Sequence, residues 1–156
     1  MTTENNNEHQ GTNQVTNQGT DQITNSRSGF QAEHTRRLSA IDELKTTGVN
    51  PYPYRFDRTH TLSELREKFA PLEPGNETEE SVSVAGRIML KRDQGKLIFV
   101  TIRDRSADIQ LFISKSVVGD VQFDVINNLD LGDWVGAHGL IMTTRKGELS
   151  VKVSSV

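Results

Sequence analysis

Hydrophobic positions follow one period in the first half of the chain and another in the second, with the change near residue 80. In the first half, Leu38, Ile41 and Leu44 recur at three-residue spacing with charged residues between them, as on one face of a helix. The pattern predicts an amphipathic helix over residues 31–47, and Gly48 is a typical residue to end it.

A second, shorter helix is predicted farther along this half. Thr61 and Glu64 have the spacing of a capping box, in which each side chain bonds the backbone N–H of the other residue. Between the two helices, residues 51–54 alternate proline and tyrosine and predict an extended path, because proline disfavours helix in the residue before it. Three apolar residues at helical spacing follow the cap: Leu62, Leu65 and Phe69.

From Ser81 onward apolar and polar residues alternate, which is the period of a half-buried strand. Three alternating segments are followed by a helical pattern over residues 116–127 and then by two more alternating segments. Gly136 and Gly139 lie inside the fourth segment and predict a bend or bulge there. The residues expected to face inward are Val82, Val84, Gly86, Ile88, Leu90, Ile98, Val100, Ile102, Ile109, Leu111, Ile113, Leu149, Val151 and Val153.

Three strands, a helix and two strands, in that order, predict the OB-fold, a five-stranded Greek-key barrel that often binds oligonucleotides or oligosaccharides. The expected fold class is therefore mainly β, with two helices before the barrel. An open α+β sheet is the alternative. The predicted domains are a tail over residues 1–28, a helical segment and connector over 29–80, and the barrel over 81–156.

The tail is rich in Asn, Gln and Thr, and Val15 and Ile23 are its only aliphatic residues after the initiator. Such a segment buries too little apolar surface to offset its ordering entropy, so the sequence predicts disorder there. A specific binding role for the tail is the alternative.

Charge and residue types narrow the chemistry. Residues 1–80 hold 8 basic and 13 acidic residues, whereas residues 81–156 hold 10 and 8, so the predicted barrel is mildly basic and permits a nucleic-acid partner. The chain has no cysteine, its four histidines lack metal-ligand spacing, and no phosphate-binding loop or nucleophile elbow occurs. We therefore expect no catalytic constellation and no metal site. Without a secretory signal or a long apolar run, we expect a cytoplasmic protein with no membrane partner.

The strand alternation also predicts a binding surface. If the apolar residues face the core, Arg87, Phe99 and Gln110 emerge on the outer surface of three neighbouring strands, and Glu148 faces outward on the fifth. An exposed phenylalanine ring can stack on a base, and an amide can both donate to and accept from a base edge. In the alternative, Phe99 packs beneath the helices, or in the core with the register slipped by one, and the polar residues are merely solvated.

Cations surround the first predicted hairpin and are candidate phosphate contacts. An ordinary charged rim of the barrel is the alternative. These residues are Lys91, Arg92, Lys96 and Arg103, with Arg105 beside them.

Short motifs over about residue 31 to the C-terminus resemble those of class II lysyl-tRNA synthetases. The segment before the barrel carries Arg37, Leu44, Gly48, Pro51, Tyr52, Pro53, Phe56, Thr59 and His60. The first three strands carry residues 84–89, Lys91, Arg92, Gly95, Lys96, Phe99, Asp104 and 109–111, and the last two carry residues 131–133 and 146–151.

This resemblance implies the N-terminal anticodon-binding domain of such an enzyme, with the anticodon loop of lysine tRNA as its partner. It implies that Phe99 stacks on an anticodon base, that Arg87 and Gln110 contact the central uridine, and that Glu148 reaches an anticodon base. Aspartate and asparagine synthetases share the barrel, but the motifs at residues 51–53 and 146–149 favour lysine.

Two departures from the family pattern stand out. Ala107 occupies a turn position where the family usually has glycine. The chain also stops after the fifth strand, so the family's catalytic domain, which uses ATP and Mg²⁺, is expected to be absent. We therefore expect this chain alone to be inactive and to need no cofactor, and we expect the parent enzyme to be a homodimer.

Two other functions stay open on the residues alone. One is a single-stranded nucleic-acid binder that is indifferent to sequence and uses the same barrel. The other is a structural or dimerisation module without a nucleic-acid role.

Overall fold

The structure is a computed structural model that describes residues 18–48 and 50–156, with side-chain environments from residue 29 onward. The chain divides into two units, with the boundary after Gly48. The first unit contains helix α1 (Gln18–Thr46), which begins before the predicted position at Gln31 and so includes part of the tail segment. The rest of that predicted tail, residues 1–17, lies outside the described residues.

The second unit begins with a short helix, α2 (Leu62–Lys68), whose predicted capping box is confirmed. The Thr61 side chain accepts from the backbone N–H of Glu64, and the Glu64 carboxylate accepts from the backbone N–H of Thr61 at 2.7 Å. The backbone N–H and the hydroxyl of Thr61 both donate to this carboxylate and lower the pKa of Glu64. Leu62 and Leu65 are fully buried, so this helix is part of the barrel's core.

Five strands form the closed barrel that the sequence predicts. Its strand order is β1-β2-β3-β5-β4, with β3 and β5 parallel and the other neighbours antiparallel. A helix, α3, lies between β3 and β4 and is kinked at Gly119. The OB-fold prediction is therefore confirmed. The bounds are β1 (Glu77–Asp93), β2 (Leu97–Arg103), β3 (Asp108–Ser114), α3 (Lys115–Asn128), β4 (Trp134–Thr143) and β5 (Leu149–Ser155).

The barrel interior is aliphatic, and most residues predicted to face inward do so. Val84, Ile98, Leu111 and Val153 are among the residues with essentially no exposed surface. Burial of such side chains stabilises the fold by roughly 1.5–3 kcal/mol each. The barrel is thus a filled core, and any ligand site must lie on its outside.

The first strand departs from the predicted alternation because it contains a bulge. The register between β1 and β2 shifts between Ile88 and Leu90, which leaves Met89 as an extra residue. Beyond the bulge the phase is reversed, so Leu90 is 46% exposed rather than buried as predicted. The reversal also moves Arg92 to the outer face and Lys91 to the inward side.

The predicted irregularity in the fourth strand is present at Gly139. The register between β4 and β5 shifts between His138 and Gly139. A Cβ atom on Gly139 would lie 2.2 Å from the carbonyl oxygen of Lys152, closer than any real contact. Only glycine therefore lets these two strands approach so closely.

A buried carboxylate, Asp104, joins α2 to the turn between β2 and β3. Its side chain is 5% exposed and accepts from the backbone N–H groups of Leu62 at 3.1 Å, Ser106 at 2.7 Å and Ala107 at 3.0 Å. Arg58 lies 3.2 Å from the same carboxylate. Ala107 takes its turn position without a positive φ, so this turn has no need of the family's glycine.

Candidate nucleic-acid interface

Strand pairing sorts the outer-face residues of four neighbouring strands into three cross-strand rows. Each row runs across the barrel surface from β1 toward β5. The first row holds Arg87, Arg103 and Asp108; the second holds Leu90, Thr101, Gln110 and Ser150; the third holds Arg92, Phe99, Phe112 and Lys152.

The third row contains the aromatic part of the surface. The rings of Phe99 and Phe112 meet edge to face, with centroids 5.4 Å apart. The guanidinium of Arg92 lies 5.8 Å from the centroid of the Phe99 ring. Phe99 is only partly buried, on the outer face between buried Ile98 and Val100. The alternative in which this ring enters the core is therefore wrong.

Gln110 lies in the second row and links the aromatic pair to β5. Its Oε1 accepts from Nη2 of Arg92 at 3.2 Å, and its Nε2 donates to Oγ of Ser150 at 2.9 Å. These neighbours cover it, so Gln110 is 6% exposed rather than open to water as predicted. The bonds hold the amide in one orientation and leave it one N–H and one lone pair for a ligand. We call Arg92, Phe99, Phe112, Gln110 and Ser150 the aromatic–amide cluster.

Arg87 does not belong to this cluster, contrary to the sequence prediction. It pairs with Arg103, which is four residues from Phe99 along β2, a distance of about 13 Å at the rise of a strand. Its guanidinium lies 5.1 Å from the ring centroid of Trp134 and donates to the carbonyl of Gly132 at 2.5 Å. Arg87 faces outward as predicted, but the hairpin register places it opposite Arg103. The bulge at Met89 acts farther along the strand, where it places Arg92 instead of Lys91 opposite Phe99.

Glu148 approaches the cluster from the β4–β5 hairpin. Its backbone carbonyl accepts from Oγ of Ser150 at 3.1 Å, which continues the chain of hydrogen bonds from Gln110. Its carboxylate is 52% exposed and lies 3.8 Å from Arg66 of α2. A cavity of about 290 Å³ opens between α2 and this hairpin, lined in part by Arg66, Phe69 and Glu148.

Comparison with known proteins agrees with this geometry. Residues 82–156 match the family of tRNA anticodon-binding domains, described as an OB-fold nucleic acid binding domain. The lysine–tRNA ligase of Nostoc sp. is 44% identical over 125 residues, covering 75% of this chain and 22% of the relative. The chloroplastic/mitochondrial lysine–tRNA ligase of Arabidopsis thaliana is 39% identical over 132 residues, covering 82% and 22%.

The chain belongs to the lysyl-tRNA synthetase family, as its anticodon-binding OB-fold domain. The matched region extends beyond the barrel, because the alignment with the Nostoc relative covers 125 residues whereas the family model covers only residues 82–156. The chain spans less than a quarter of the length of these relatives.

The predicted phosphate contacts of this anticodon-binding domain fall into different environments. Arg103 forms a bidentate pair with Asp108, with N–O distances of 2.5 and 2.7 Å, which raises the pKa of Arg103 and lowers that of Asp108. Lys96 is exposed in the β1–β2 turn and has no ion-pair partner among the described residues. Lys96 is thus the better placed of the two to neutralise a phosphate.

Lys91 differs from the other members of the predicted basic band. Its ammonium group donates to the carbonyls of Asn127 at 2.7 Å and Leu129 at 2.5 Å, at the C-terminal end of α3. Those carbonyls have no partner within the helix, and a cation there also interacts favourably with the helix dipole. The structure therefore assigns Lys91 to the end of a helix, not to the surface beside Phe99.

Replacement of Lys91 by methionine should lower the free energy of unfolding by about 1 kcal/mol, because two carbonyls lose their donor. The salt dependence of RNA binding should stay the same, since no phosphate contact is lost. Urea denaturation and RNA titrations at several salt concentrations measure the two quantities. A weaker dependence of RNA affinity on salt concentration, with unchanged stability, would show instead that Lys91 contacts a phosphate.

The described residues include no group of three or more His, Asp or Glu side chains suited to a metal ion. Within the same part of the chain, no helix is both long and apolar enough to cross a membrane. What the surface does present is a partly exposed aromatic ring, a guanidinium and a carboxylate, with the largely covered amide of Gln110 bonded to the guanidinium. This combination suits the stacking and edge recognition of single-stranded bases.

Proposed function

We propose that this domain binds the anticodon loop of lysine tRNA and recognises its uridine-rich anticodon. The observation that carries the proposal is the aromatic–amide cluster: a partly exposed phenylalanine lies beside a guanidinium and an amide that is held in one orientation. The family membership of the chain supports lysine tRNA as the partner.

The chemistry of the cluster fits a uridine. Uridine offers two carbonyl acceptors and one imino donor on its pairing edge. Arg92 supplies donors, Gln110 has one N–H and one lone pair left, and Phe99 offers a surface for stacking. A cytidine presents an amino donor where uridine has its second carbonyl, so a guanidinium that donates to this carbonyl in uridine would meet another donor in cytidine.

We extend the proposal to the parent protein, because the relatives are named lysine–tRNA ligases. Such a parent would attach lysine to tRNA with ATP and Mg²⁺, as a homodimer in the cytoplasm. The residues described here hold no group fitted to a metal ion, so we assign ATP and Mg²⁺ to a catalytic domain and derive no step through them.

Titration of the whole chain with two RNA stem–loops at matched salt tests the proposal. One stem–loop carries the lysine anticodon, and in the other the anticodon uridines are replaced by cytidines. We expect the lysine stem–loop to bind at least about tenfold more tightly, as mismatched contacts at base edges cost on the order of 1–3 kcal/mol. Phe99→Ala should weaken this complex without unfolding the barrel.

Equal affinity for the two stem–loops, with a strong salt dependence, would instead indicate a binder that is indifferent to sequence. Failure to bind either RNA would indicate a structural module. Both results contradict the proposed recognition of the anticodon.

A further inference from the structure

Arg66 belongs to no motif that the sequence shows, and it comes from α2 rather than from the barrel. The start of this helix is fixed to the β2–β3 turn. The backbone N–H of Leu62 donates to Asp104, and that of Ser63 donates to Oγ of Ser106, both at 3.1 Å. Arg66 is therefore presented to the barrel surface from a helix with a defined position.

The guanidinium of Arg66 lies between Asp108, at the start of β3, and Glu148, in the β4–β5 hairpin. Its Nη1 donates to the backbone carbonyl of Asp108 at 2.8 Å and lies 3.8 Å from Oε1 of Glu148. The Asp108 carboxylate is already bound in a bidentate pair by Arg103. The bond from Arg103 lowers the pKa of Asp108, and the charge of Arg66 also helps to lower it. Glu148, however, is the carboxylate that forms an ion pair with Arg66.

Glu148 has few other constraints on its side chain. Its backbone N–H is held by Oγ of Thr144 and its carbonyl by Oγ of Ser150, but its carboxylate is half exposed beside the cavity of about 290 Å³. The Arg66 cation at 3.8 Å restricts where this carboxylate can lie. The cavity beside it leaves space for a planar ring.

We propose that Arg66 is a positioning residue that holds the carboxylate of Glu148 in place as an acceptor for one anticodon base. The inference rests on the proposed function and adds α2 to the recognition surface. A carboxylate accepts from the imino N–H of uridine, whereas the corresponding ring nitrogen of cytidine is itself an acceptor. Arg66 would then affect the choice between the two bases without contacting the RNA.

A competing role for Arg66 is direct contact with a phosphate. The two roles differ in what they change. A phosphate contact strengthens binding of all sequences about equally and contributes to the salt slope. A positioning role changes the preference for uridine at one anticodon position and depends on Glu148.

The test is a double-mutant cycle with Arg66→Met, Glu148→Gln and the double variant in the whole chain. Methionine keeps the apolar part of the side chain and removes its charge. Affinities are measured for the lysine stem–loop and for a set of single substitutions. In each member of the set, one anticodon uridine is replaced by cytidine. Lys68→Met is the matched control, since Lys68 lies on the same helix but pairs with Glu80.

We expect Arg66→Met to lower the preference for uridine at one anticodon position by about tenfold, the scale of a hydrogen bond to a charged group. Glu148→Gln should lower it at the same position, and the double variant should show no further loss. Lys68→Met should leave the preference for uridine over cytidine unchanged at every anticodon position. Circular dichroism checks that each variant is folded.

Two results would overturn the inference while the proposed function stands. One is a uniform loss of affinity in Arg66→Met together with a smaller salt slope. The other is an additive loss in the double variant. Failure of the proposed function is separate, because it is read from the unmodified chain alone, as equal affinity for all the stem–loops.

Discussion

Arg92→Ala is expected to lower the affinity for the lysine anticodon stem–loop by about 1–3 kcal/mol, and to reduce its advantage over the cytidine-substituted loop. Removal of the guanidinium takes away a donor beside the Phe99 ring. It also leaves Oε1 of Gln110 without the partner that holds the amide in place. Both changes act on base recognition, so the loss of affinity should be larger for the lysine stem–loop than for the cytidine-substituted one.

Arg87→Ala is the matched control for this variant. Both arginines lie on the outer face of β1, and each guanidinium lies near an aromatic ring, at 5.1 Å for Arg87 and 5.8 Å for Arg92. Arg87 is outside the aromatic–amide cluster, so its removal should leave the affinity ratio of the two loops unchanged. If Arg87→Ala abolished the difference in affinity between the two loops and Arg92→Ala preserved it, the prediction from strand alternation would be right. The aromatic–amide cluster would then not be the recognition site.

The second large effect is expected on stability, from Asp104→Asn. The asparagine keeps one oxygen for the β2–β3 turn but presents an NH₂ group where Leu62 and Arg58 now donate to a carboxylate oxygen. We expect the free energy of unfolding at pH 7 to fall by roughly 2–4 kcal/mol, since breaking a buried charged network is costly. Urea denaturation measures this change.

The contribution of Asp104 should also depend on pH. Burial acts to raise the pKa of Asp104, but hydrogen bonds from the side chain and N–H of Ser106 and from the N–H groups of Leu62 and Ala107 outweigh it and lower the pKa to about 2. The ordinary value is 3.8. The stabilisation is therefore complete above about pH 5 and is lost as the pH falls toward 2, by about 2 kcal/mol in all.

Denaturation at several pH values checks this window. The difference in stability between the unmodified chain and Asp104→Asn should shrink as the pH falls from 5 to 2. Asp57→Asn serves as the control, because Asp57 forms an exposed pair with Arg55 and should contribute little at any pH. A constant difference between pH 5 and pH 2 would show that the charge of Asp104 is not what stabilises the turn.

Local signals in the sequence were sufficient for the elements of this fold. The period of two predicted the five strands, the Thr61–Glu64 spacing predicted the cap of α2, and Gly139 predicted an irregular strand. Each signal involves residues near one another in the chain, and its physical cause acts over a few residues. The family motifs added lysine tRNA as the expected partner, which the pattern of apolar residues does not contain.

It was harder to predict which residues form the candidate site. Alternation counted from Val82 placed both Arg87 and Lys91 on the binding surface. Arg87 does face outward but lies opposite Arg103, and one extra residue at Met89 reversed the later phase and placed Arg92 instead of Lys91 beside Phe99. A bulge of this kind has no requirement for glycine or proline, so the sequence carries little sign of it. The close arrangement of Gln110 with Arg92 and Ser150 likewise depends on strands that are distant in the sequence.

The sequence by itself determined the order of the elements and most of the core, because burial of alternating aliphatic residues leaves few other arrangements. Its short motifs determined the family. Only the tertiary structure decided which arginine meets Phe99, that Gln110 is covered, and that Arg66 of α2 reaches Glu148. The reason is physical: side-chain contacts across a barrel depend on register, and a shift of one residue moves every later side chain to the opposite face.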